Sequence, residues 1–304
     1  MPNLSGIYAP LTTPFRADGG VDLDRLRAQL ERYAAAPLAG YVLLGSTGEA
    51  ILLDREEKLA VLRAAAGSEA ARRRLLIAGT GEESLAATLA MTRAAAELGY
   101  ALALVRTPHY YKRAMTPAAL RQFFLELAAA SPIPILIYNF PQMTGIDLEL
   151  ETAIELAAHP NIAGIKESSG SLEKISRLLA ISNAKNNFQV LPGNAATIYA
   201  SLAVGVEAAI LALSSGAPEI CHAIWSAART SPGRALRLQN DALPLALATA
   251  QGGVAAIKAL MDLNGYQGGP PRPPLLPLSA AALAALQAAF ARATSAALAV
   301  PAAV

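Results

Sequence analysis

The sequence predicts a closed (β/α)8 barrel, a TIM barrel, followed by a helical C-terminal extension. Eight short apolar segments each precede a segment whose apolar residues have helical spacing, an alternation typical of α/β folds. The apolar segments are almost continuous, as expected for parallel strands that are buried on both faces. Eight such units favour closure into a barrel. A doubly wound open sheet is the alternative, and it fits less well because no Gly-x-Gly-x-x-Gly motif follows any strand.

The strands and helices are placed by their apolar patterns and by the capping residues between them. In chain order, the strands are predicted at Gly6–Leu11, Gly40–Gly45, Leu75–Gly79, Tyr100–Val105, Pro134–Asn139, Ile162–Lys166, Phe188–Leu191 and Glu207–Ala212. The helices that follow them are predicted at Asp22–Ala36, Asp54–Ala66, Ser84–Leu98, Thr116–Ala130, Leu148–Ala158, Ser171–Ile181, Ala195–Val204 and Pro218–Ala228. Asp54 and Ser84 are suitable N-caps, and Pro117 fits the first turn of its helix.

The last quarter of the chain does not continue this alternation. Two helices are predicted at about 232–250 and 252–264, then a proline-rich connector at 268–275 and an amphipathic helix at 279–297. We therefore divide the chain into a barrel, residues 1–230, and a C-terminal helical region, residues 231–304. The helical region is expected to pack on the barrel or on a partner subunit.

Composition excludes several classes of function. The chain has 304 residues, is 54% hydrophobic and carries a formal net charge of +2, and no basic block indicates a nucleic-acid partner. The single cysteine, Cys221, excludes an internal disulfide framework and a cysteine-based metal cluster. The N-terminus lacks a secretory signal pattern, and charges or prolines interrupt every apolar run before about 18 residues. The expectation is a soluble cytoplasmic protein with no membrane partner.

The residues that follow the strands supply hydroxyl groups, glycine amides and one amine. In a barrel enzyme these strand ends form the active-site face. They include no set of carboxylates or histidines suited to a metal, and no carboxylate pair suited to glycoside hydrolysis. The sequence therefore predicts chemistry without a metal or a cofactor. The strand-end residues are Thr12, Thr13, Gly45, Ser46, Thr47, Gly48, Glu49, His109, Tyr110, Tyr111, Tyr138, Asn139, Lys166, Ser168, Gly193, Asn194, Ile210, Ser214 and Ser215.

Lys166 is the strongest candidate for a chemical role. Side chains alternate along a strand, so Gly164, Lys166 and Ser168 share one face of the sixth strand. If that face lines the barrel, desolvation lowers the pKa of the lysine and leaves a free amine that can attack a ketone. The ordinary interpretation of a single lysine is an ion-paired or snorkelling side chain. Lys258, the rival lysine on an apolar helix, is interpreted as structural.

Tyr138 and the segment Gly45–Glu49 strengthen the case for a site around Lys166. If Leu136, Tyr138 and Phe140 face inward, Tyr138 lies on the strand next to Lys166, where a phenol can transfer a proton. A buried tyrosine is more often a hydrogen-bonded core residue. The glycine-flanked turn Gly45-Ser-Thr-Gly-Glu49 offers amides and hydroxyls to a small anion, although it also fits a plain turn.

These segments together resemble a known family. Gly45-Ser-Thr-Gly-Glu49, Tyr138-Asn-Phe-Pro141 and Gly164-Ile-Lys-Glu-Ser168 are similar, in order and spacing, to motifs of the dihydrodipicolinate synthase / N-acetylneuraminate lyase family. The stretches Ala9–Phe15 and Leu191–Asn194 extend the resemblance over about residues 5–216. The family consists of pyruvate-dependent class I aldolases and lyases on a (β/α)8 barrel, usually tetrameric. The resemblance implies pyruvate and an aldehyde as small-molecule partners, and a homo-oligomer, either dimer or tetramer.

The resemblance also implies roles for individual residues. Lys166 matches the lysine that forms a Schiff base, and Tyr138 matches the tyrosine that shuttles a proton. Ser46 and Thr47 match the residues that hold the 2-oxo acid carboxylate, and Thr47 also matches a member of the proton relay.

Further positions are expected to line the same site. Tyr110 or Tyr111 matches a tyrosine that one subunit lends to its neighbour, and the sequence leaves open which of the two it is. Ser168 matches a serine that lines the site in the related 4-hydroxy-2-oxoglutarate aldolases. Gly193 and Ile210, at the ends of the seventh and eighth strands, are the remaining predicted substrate-binding residues.

One departure from the family pattern bears on the substrate. The synthases carry an arginine two residues after the proline of the Tyr-Asn-x-Pro motif, where it binds the carboxylate of the aldehyde substrate. Met143 stands there in this chain, and a thioether cannot replace an arginine fork. Other stretches, including Tyr110–Thr116 and Thr144–Leu148, look like those of 4-hydroxy-2-oxoglutarate aldolases. We therefore favour a Schiff-base aldolase of that kind, which cleaves a 2-oxo acid and releases pyruvate.

The sequence leaves three alternatives open. A dihydrodipicolinate synthase would need another cation near the site, and Arg106 at the end of the fourth strand is available. A 2-keto-3-deoxy sugar acid aldolase would use the same lysine and tyrosine. A non-catalytic sensor of 2-oxo acids is the alternative outside the enzymes, but a binding protein has no need of either Lys166 or Tyr138.

Overall fold

A single parallel sheet of eight strands, rolled into a barrel, forms the centre of the described part of the chain. The structure is a computed structural model that describes residues 2–185 and 188–298. The first seven strands each pair with their neighbours in the sequence, the eighth pairs with the first, and the seventh lies against the eighth, which closes the ring. The predicted TIM barrel is confirmed. The strands are β1 Gly6–Pro10, β2 Gly40–Leu43, β3 Leu75–Gly79, β4 Leu102–Arg106, β5 Ile135–Asn139, β6 Ile162–Glu167, β7 Gln189–Pro192 and β8 Ala208–Ile210.

Helices surround the barrel and continue beyond it. Each of the first seven strands is connected to the next through at least one helix, as a parallel sheet requires. Within the described residues the helices are α1 Leu23–Tyr33, α2 Arg55–Gly67, α3 Glu69–Arg72, α4 Leu85–Glu97, α5 Pro117–Ala130, α6 Pro141–Thr144, α7 Leu150–Leu156, α8 Leu172–Lys185, α9 Ile198–Ala203, α10 Pro218–Thr230, α11 Pro232–Leu263 and α12 Ala280–Leu298.

Capping residues fix where several of these helices begin. Asp54 accepts a hydrogen bond from the backbone N–H of Glu57, and the Glu57 side chain accepts one from the N–H of Asp54, which is a complete capping box. The Thr116 hydroxyl accepts a hydrogen bond from the N–H of Ala119 at the start of α5, with Pro117 in the first helical position. These starts follow from local chemistry, which is why the sequence predicted them to within a residue.

The inside of the barrel is filled by apolar side chains from all eight strands. Most of these residues are at most 6% exposed, and they form a cluster separate from the two larger clusters between the sheet and the helices. Tyr138 is the largest side chain of this inner cluster near the strand ends. The buried members are Leu4, Tyr8, Val42, Ile77, Leu102, Leu104, Leu136, Tyr138, Ala163, Leu191, Ala208 and Ile210.

Several predicted boundaries need correction. The eighth strand was predicted at Glu207–Ala212 but extends only over Ala208–Ile210, because the chain turns into a 3-10 helix at Ala212–Ser215. The helix predicted to begin at Ala195 starts with a 3-10 turn that Asn194 caps, and α9 begins at Ile198. The short helices α3 and α6 were not predicted, because four residues carry too little periodicity to be recognised.

A β-bulge shifts the register between β5 and β6. Ile135 lies opposite Ile162, but Leu136 lies opposite Gly164, so Ala163 is an extra residue on β6. Gly164 has a φ of +154°, and a Cβ there would lie 2.0 Å from the carbonyl oxygen of Gln189. Glycine is therefore required at the bulge. Beyond the bulge Tyr138 lies opposite Lys166, whereas the register before it would place Ile165 there.

The C-terminal helices pack against each other and against the barrel. Gly253 has φ 57° and ψ −142° inside α11, so the two helices predicted at 232–250 and 252–264 are the two arms of a kinked element. By length and composition α11 could cross a membrane, but it packs on α10 and α12, which accounts for its apolar residues. The last helix was predicted at 279–297 and spans Ala280–Leu298. Residues 299–304 of the predicted helical region lie outside the described residues, and the division into two domains remains a prediction.

Candidate active site

Lys166 lies on the inner wall of the barrel and is almost completely buried. It is 5% exposed, and its Cα lies opposite that of Tyr138 on β5 and that of Leu191 on β7. The Lys166 Nζ lies 3.9 Å from the centroid of the Tyr138 ring. Burial lowers the pKa of Lys166 from 10.5 to about 7, because the charged ammonium is desolvated. A large share of the amine is therefore unprotonated near neutral pH.

Tyr138 places its hydroxyl group among other hydroxyls. Its Oη lies 3.3 Å from the Oγ of Ser46, within hydrogen-bond distance. Burial raises the pKa of Tyr138 to about 12, and hydrogen bonds with Ser46 and Ser168 oppose that rise. Phe140 stacks on the tyrosine ring with centroids 5.8 Å apart and limits its movement. The phenol therefore stays protonated near neutral pH and can both donate and accept a proton through its hydroxyl neighbours.

Gly193 lets the backbone after β7 approach Lys166 and Ser168 closely. A Cβ at position 193 would lie 1.9 Å from the Oγ of Ser168 and 3.2 Å from the Cε of Lys166. The N–H of Gly193 donates to the carbonyl of Glu167, which fixes this approach. Ile210 is fully buried in the same inner cluster as Tyr138. The structure thus brings together Ser46, Tyr138, Lys166, Ser168 and Gly193, with Ile210 in the adjoining barrel wall.

The loop after β2 presents Ser46 and Thr47 in a constrained conformation. Leu44 and Glu49, on either side of the Gly45–Gly48 turn, have φ of 59° and 55°, the left-handed region that non-glycine residues rarely occupy. Ser46 is exposed, and Thr47 is buried. Among the described residues, the backbone N–H groups of Ser46 and Thr47 have no hydrogen-bond acceptor. Two free amides and two hydroxyls at one turn form a suitable site for a small anion.

A buried ion pair fixes this loop to the C-terminal region. The Nζ of Lys258, on α11, lies 2.6 Å from the Oε1 of Glu49, and both side chains are at most 1% exposed. The same Nζ donates to the carbonyls of Thr13 and Pro270, each at 2.9 Å. Burial lowers the pKa of Lys258, while the Glu49 carboxylate opposes that effect. Lys258 is thus fully engaged in the fold, in contrast to Lys166.

A cavity of about 400 Å³, which we call the Tyr138 cavity, opens next to these residues. Tyr138 and Ser46 line it, whereas Lys166 is not among its lining residues but lies against the Tyr138 ring. Met143 lines it as well and is 62% exposed. Residues of the C-terminal region supply one wall of this cavity, Gln251, Gly252, Gly253, Val254, Ala255, Leu275 and Leu276. Sequence reasoning missed this wall, since nothing local in the chain indicates which strand end a distant helix will cover.

Two cations line the Tyr138 cavity, and each has an acidic partner. Lys58 lies 2.5 Å from Glu82, and Arg106 lies 2.7 Å from Glu83.

Within residues 2–185 and 188–298, no group of three or more histidine, cysteine or acidic side chains is placed to hold a metal ion.

Tyr110 and Tyr111 lie away from the buried cluster. They are 76% and 71% exposed and contact each other edge to face, with ring centroids 5.1 Å apart. Neither lines the Tyr138 cavity, although the preceding His109 does. That one of these tyrosines contributes to the active site of a neighbouring subunit therefore stays a prediction.

The family of the chain follows from comparison with known proteins. Residues 3–293 match the Dihydrodipicolinate synthetase family. The chain belongs to this family.

Relatives within the dihydrodipicolinate synthetase family carry more than one name. A 4-hydroxy-tetrahydrodipicolinate synthase of Xanthomonas axonopodis pv. citri is 40% identical over 75% of this chain and 74% of its own. An L-threo-3-deoxy-hexylosonate aldolase of Hypocrea jecorina is 32% identical over 86% of this chain and 88% of its own. The crystal structure of a dihydrodipicolinate synthase from Acinetobacter baumannii, complexed with pyruvate, is 30% identical with a TM-score of 0.88, covering 96% of this chain and 99% of that chain.

These matches show the class of enzyme but not its second substrate. As a member of the dihydrodipicolinate synthetase family, the chain is a class I, pyruvate-dependent aldolase or lyase. The relatives include both a synthase and a sugar-acid aldolase, and synthases predominate among those with the highest identity. They therefore favour the synthase alternative over the 4-hydroxy-2-oxoglutarate assignment that the sequence motifs suggested.

Proposed function

We propose that Lys166 attacks the ketone of pyruvate, or of a 2-oxo acid that contains it, and forms a Schiff base. The observation that carries this proposal is an amine with a pKa of about 7 next to a tyrosine ring on the neighbouring strand. A neutral amine is the nucleophile that imine formation requires. The protonated imine withdraws electrons from the adjacent carbon, so the bond to the aldehyde half can form or break with a pyruvate enamine as the intermediate.

The surrounding residues are suited to the remaining tasks. The free amides and hydroxyls of Ser46 and Thr47 would bind the pyruvate carboxylate. Tyr138 would carry the proton to and from the aldehyde oxygen, with Ser46 next to it in the relay. Ser168, Gly193 and Ile210 would form the wall against which the bound 2-oxo acid packs.

Reductive trapping across a range of pH tests the proposal. With pyruvate and cyanoborohydride, peptide mapping is expected to place one stable adduct on Lys166. Because the pKa of Lys166 is lowered to about 7, the trapping rate should rise roughly tenfold per pH unit below pH 7 and level off above it. An adduct on another lysine, or a rate that still climbs through pH 9 as an ordinary lysine would require, contradicts the proposal.

Replacing Tyr138 with phenylalanine should separate proton transfer from imine formation. The ring and its stacking on Phe140 remain, while the hydroxyl group next to Ser46 is lost. We expect kcat to fall by about 10²- to 10⁴-fold, the usual size of an acid–base contribution, with the adduct on Lys166 still formed. Steady-state kinetics and the trapping assay together measure this split. A Tyr138→Phe enzyme with wild-type kcat would remove the phenol from the mechanism.

The first candidate for the full reaction is condensation of pyruvate with aspartate semialdehyde. The relatives named 4-hydroxy-tetrahydrodipicolinate synthase support this assignment. Met143 favours a second candidate, cleavage of 4-hydroxy-2-oxoglutarate or of a 2-keto-3-deoxy sugar acid, because it stands where the resemblance places an arginine. The relative from Hypocrea jecorina shows that sugar-acid cleavage occurs among related chains.

A small substrate panel separates these candidates. Aspartate semialdehyde with pyruvate, 4-hydroxy-2-oxoglutarate and 2-keto-3-deoxygluconate should differ in kcat/KM by orders of magnitude. Pyruvate trapping without turnover of any of them would favour a sensor.

We further infer a soluble cytoplasmic homo-oligomer, with the exposed pair Tyr110 and Tyr111 at a contact between subunits.

A further inference from the structure

Arg106 occupies the same level of the barrel wall as the two residues at the centre of the proposed mechanism. It continues the inward-facing series of β4, since Leu102 and Leu104 belong to the inner cluster and side chains alternate along a strand. Its Cα lies opposite that of Tyr138, which in turn lies opposite that of Lys166. Neighbouring strands are about 4.8 Å apart, so the backbones of Arg106 and Lys166 are about 10 Å apart with Tyr138 between them.

The contacts of Arg106 hold its guanidinium group from one side. Nη1 lies 2.7 Å from the Oε1 of Glu83 and 2.8 Å from the Nδ1 of His109. Gly81 makes room for the arginine stem, since a Cβ there would lie 2.9 Å from the Cγ of Arg106. The opposite edge is free: among the described residues, neither Nε nor Nη2 of Arg106 donates a hydrogen bond.

Glu83 is a fixed partner for this arginine. Burial acts to raise the pKa of Glu83, but hydrogen bonds from the N–H groups of Tyr110 and His109, and from Arg106, outweigh it and lower the pKa. The carboxylate therefore stays charged and holds Nη1 in place. The arginine side chain is 17% exposed and lines the Tyr138 cavity, so its free edge is accessible to a ligand there.

We infer that Arg106 receives the carboxylate of the aldehyde half, which makes the second substrate a short aldehyde acid. This inference rests on the proposed function and names the chemistry of its second substrate. The Nε–Nη2 edge of a guanidinium matches the two oxygens of a carboxylate, a fit that Met143 cannot offer. Lys58, the other cation in the cavity, is already paired with Glu82 at 2.5 Å. The aldehyde carbon would face the pyruvate enamine on Lys166, with its carboxylate directed toward β4.

Arg106→Gln tests the assignment through matched pairs of aldehydes. Each pair differs in the carboxylate alone or nearly so: glyoxylate with glycolaldehyde, and aspartate semialdehyde with 3-aminopropanal. For whichever acid the wild type condenses with pyruvate, kcat/KM should fall by about 10- to 100-fold, and the value for the neutral partner should change by less than about threefold. The adduct of pyruvate on Lys166 should form at the wild-type rate, which also shows that the variant is folded.

Glu83→Gln is the control for a merely structural role of Arg106. It weakens the same ion pair but leaves the free edge of the guanidinium, so the preference for the acid should remain. Arg106→Lys should restore part of that preference, since the charge returns without the fork. Equal losses for acid and neutral aldehydes in Arg106→Gln, or the same loss in Glu83→Gln, would overturn the assignment. Failure of the proposed function is distinct, because the wild type would then yield no pyruvate adduct on Lys166.

Discussion

Replacing Lys166 with alanine is expected to lower kcat/KM by about 10⁴- to 10⁶-fold, the range seen when a covalent nucleophile is removed. Neither the Ser46–Thr47 turn nor Tyr138 can replace the imine, since none of them can form an electron-withdrawing adduct with a ketone. Steady-state kinetics should therefore show almost no turnover, and cyanoborohydride with pyruvate should leave no adduct on the chain. The loss should not reflect unfolding, because burial disfavours the ammonium form of Lys166 in the native state.

Lys112→Ala is the matched control for this experiment. Lys112 is an exposed lysine in the 3-10 helix Lys112–Ala114 and belongs to neither the inner cluster nor the Tyr138 cavity. Its removal should leave kcat/KM close to the wild-type value. Activity in Lys166→Ala above about one hundredth of wild type would show that another group forms the covalent intermediate or that none is needed.

Replacing Lys258 with methionine is expected to lower the free energy of unfolding by about 3–5 kcal/mol. Methionine retains much of the lysine stem but leaves the Glu49 carboxylate buried without its cation. The carbonyls of Thr13 and Pro270 also lose a donor. Urea unfolding followed by circular dichroism measures the change, provided that the slope of the transition stays constant.

Two controls show whether the unpaired charge causes this loss. Glu49→Gln combined with Lys258→Met should cost less than the sum of the single changes, because the buried charge is removed with its partner. Arg73→Met breaks the Arg73–Glu69 ion pair, which is almost as short at 2.7 Å but lies at the surface, and should change stability very little. A Lys258→Met protein as stable as Arg73→Met would mean that the pair of Glu49 and Lys258 contributes nothing measurable.

The parts of the fold that the sequence predicted well depend on local chemistry. The start of α2 follows from Asp54 and Glu57, two residues within a four-residue window that complete a capping box without help from the rest of the chain. The barrel strands were predicted from apolar runs such as Ile135–Asn139. Such runs are typical of parallel strands that are buried on both faces. Alternation also placed Leu136, Tyr138 and Phe140 on one face of β5, and the inner cluster shows that this face lines the barrel. Each of these inferences needs only a window of a few residues.

The parts that the sequence could not predict depend on contacts between distant segments. Leu275 and Leu276 form part of one wall of the Tyr138 cavity, although about 140 residues separate them from Tyr138 in the chain. The partner of Glu49 is on α11, and its identity depends on how the C-terminal helices dock. The sequence indicated Arg106 only as a cation at the end of a strand. Which edge of its guanidinium group is free depends on the positions of Glu83 and His109, which the sequence does not give.

The extra residue in β6 determines which side chain reaches the interior. If Ala163 instead paired with Leu136 in a regular ladder, Ile165 would lie opposite Tyr138 and the amine of Lys166 would point to the outer face of the sheet. Gly164 allows this change of direction only because it has no side chain to strike Gln189. Ala163 and Gly164 take no part in any reaction, yet the bulge that they form determines that the amine of Lys166 points into the barrel next to Tyr138.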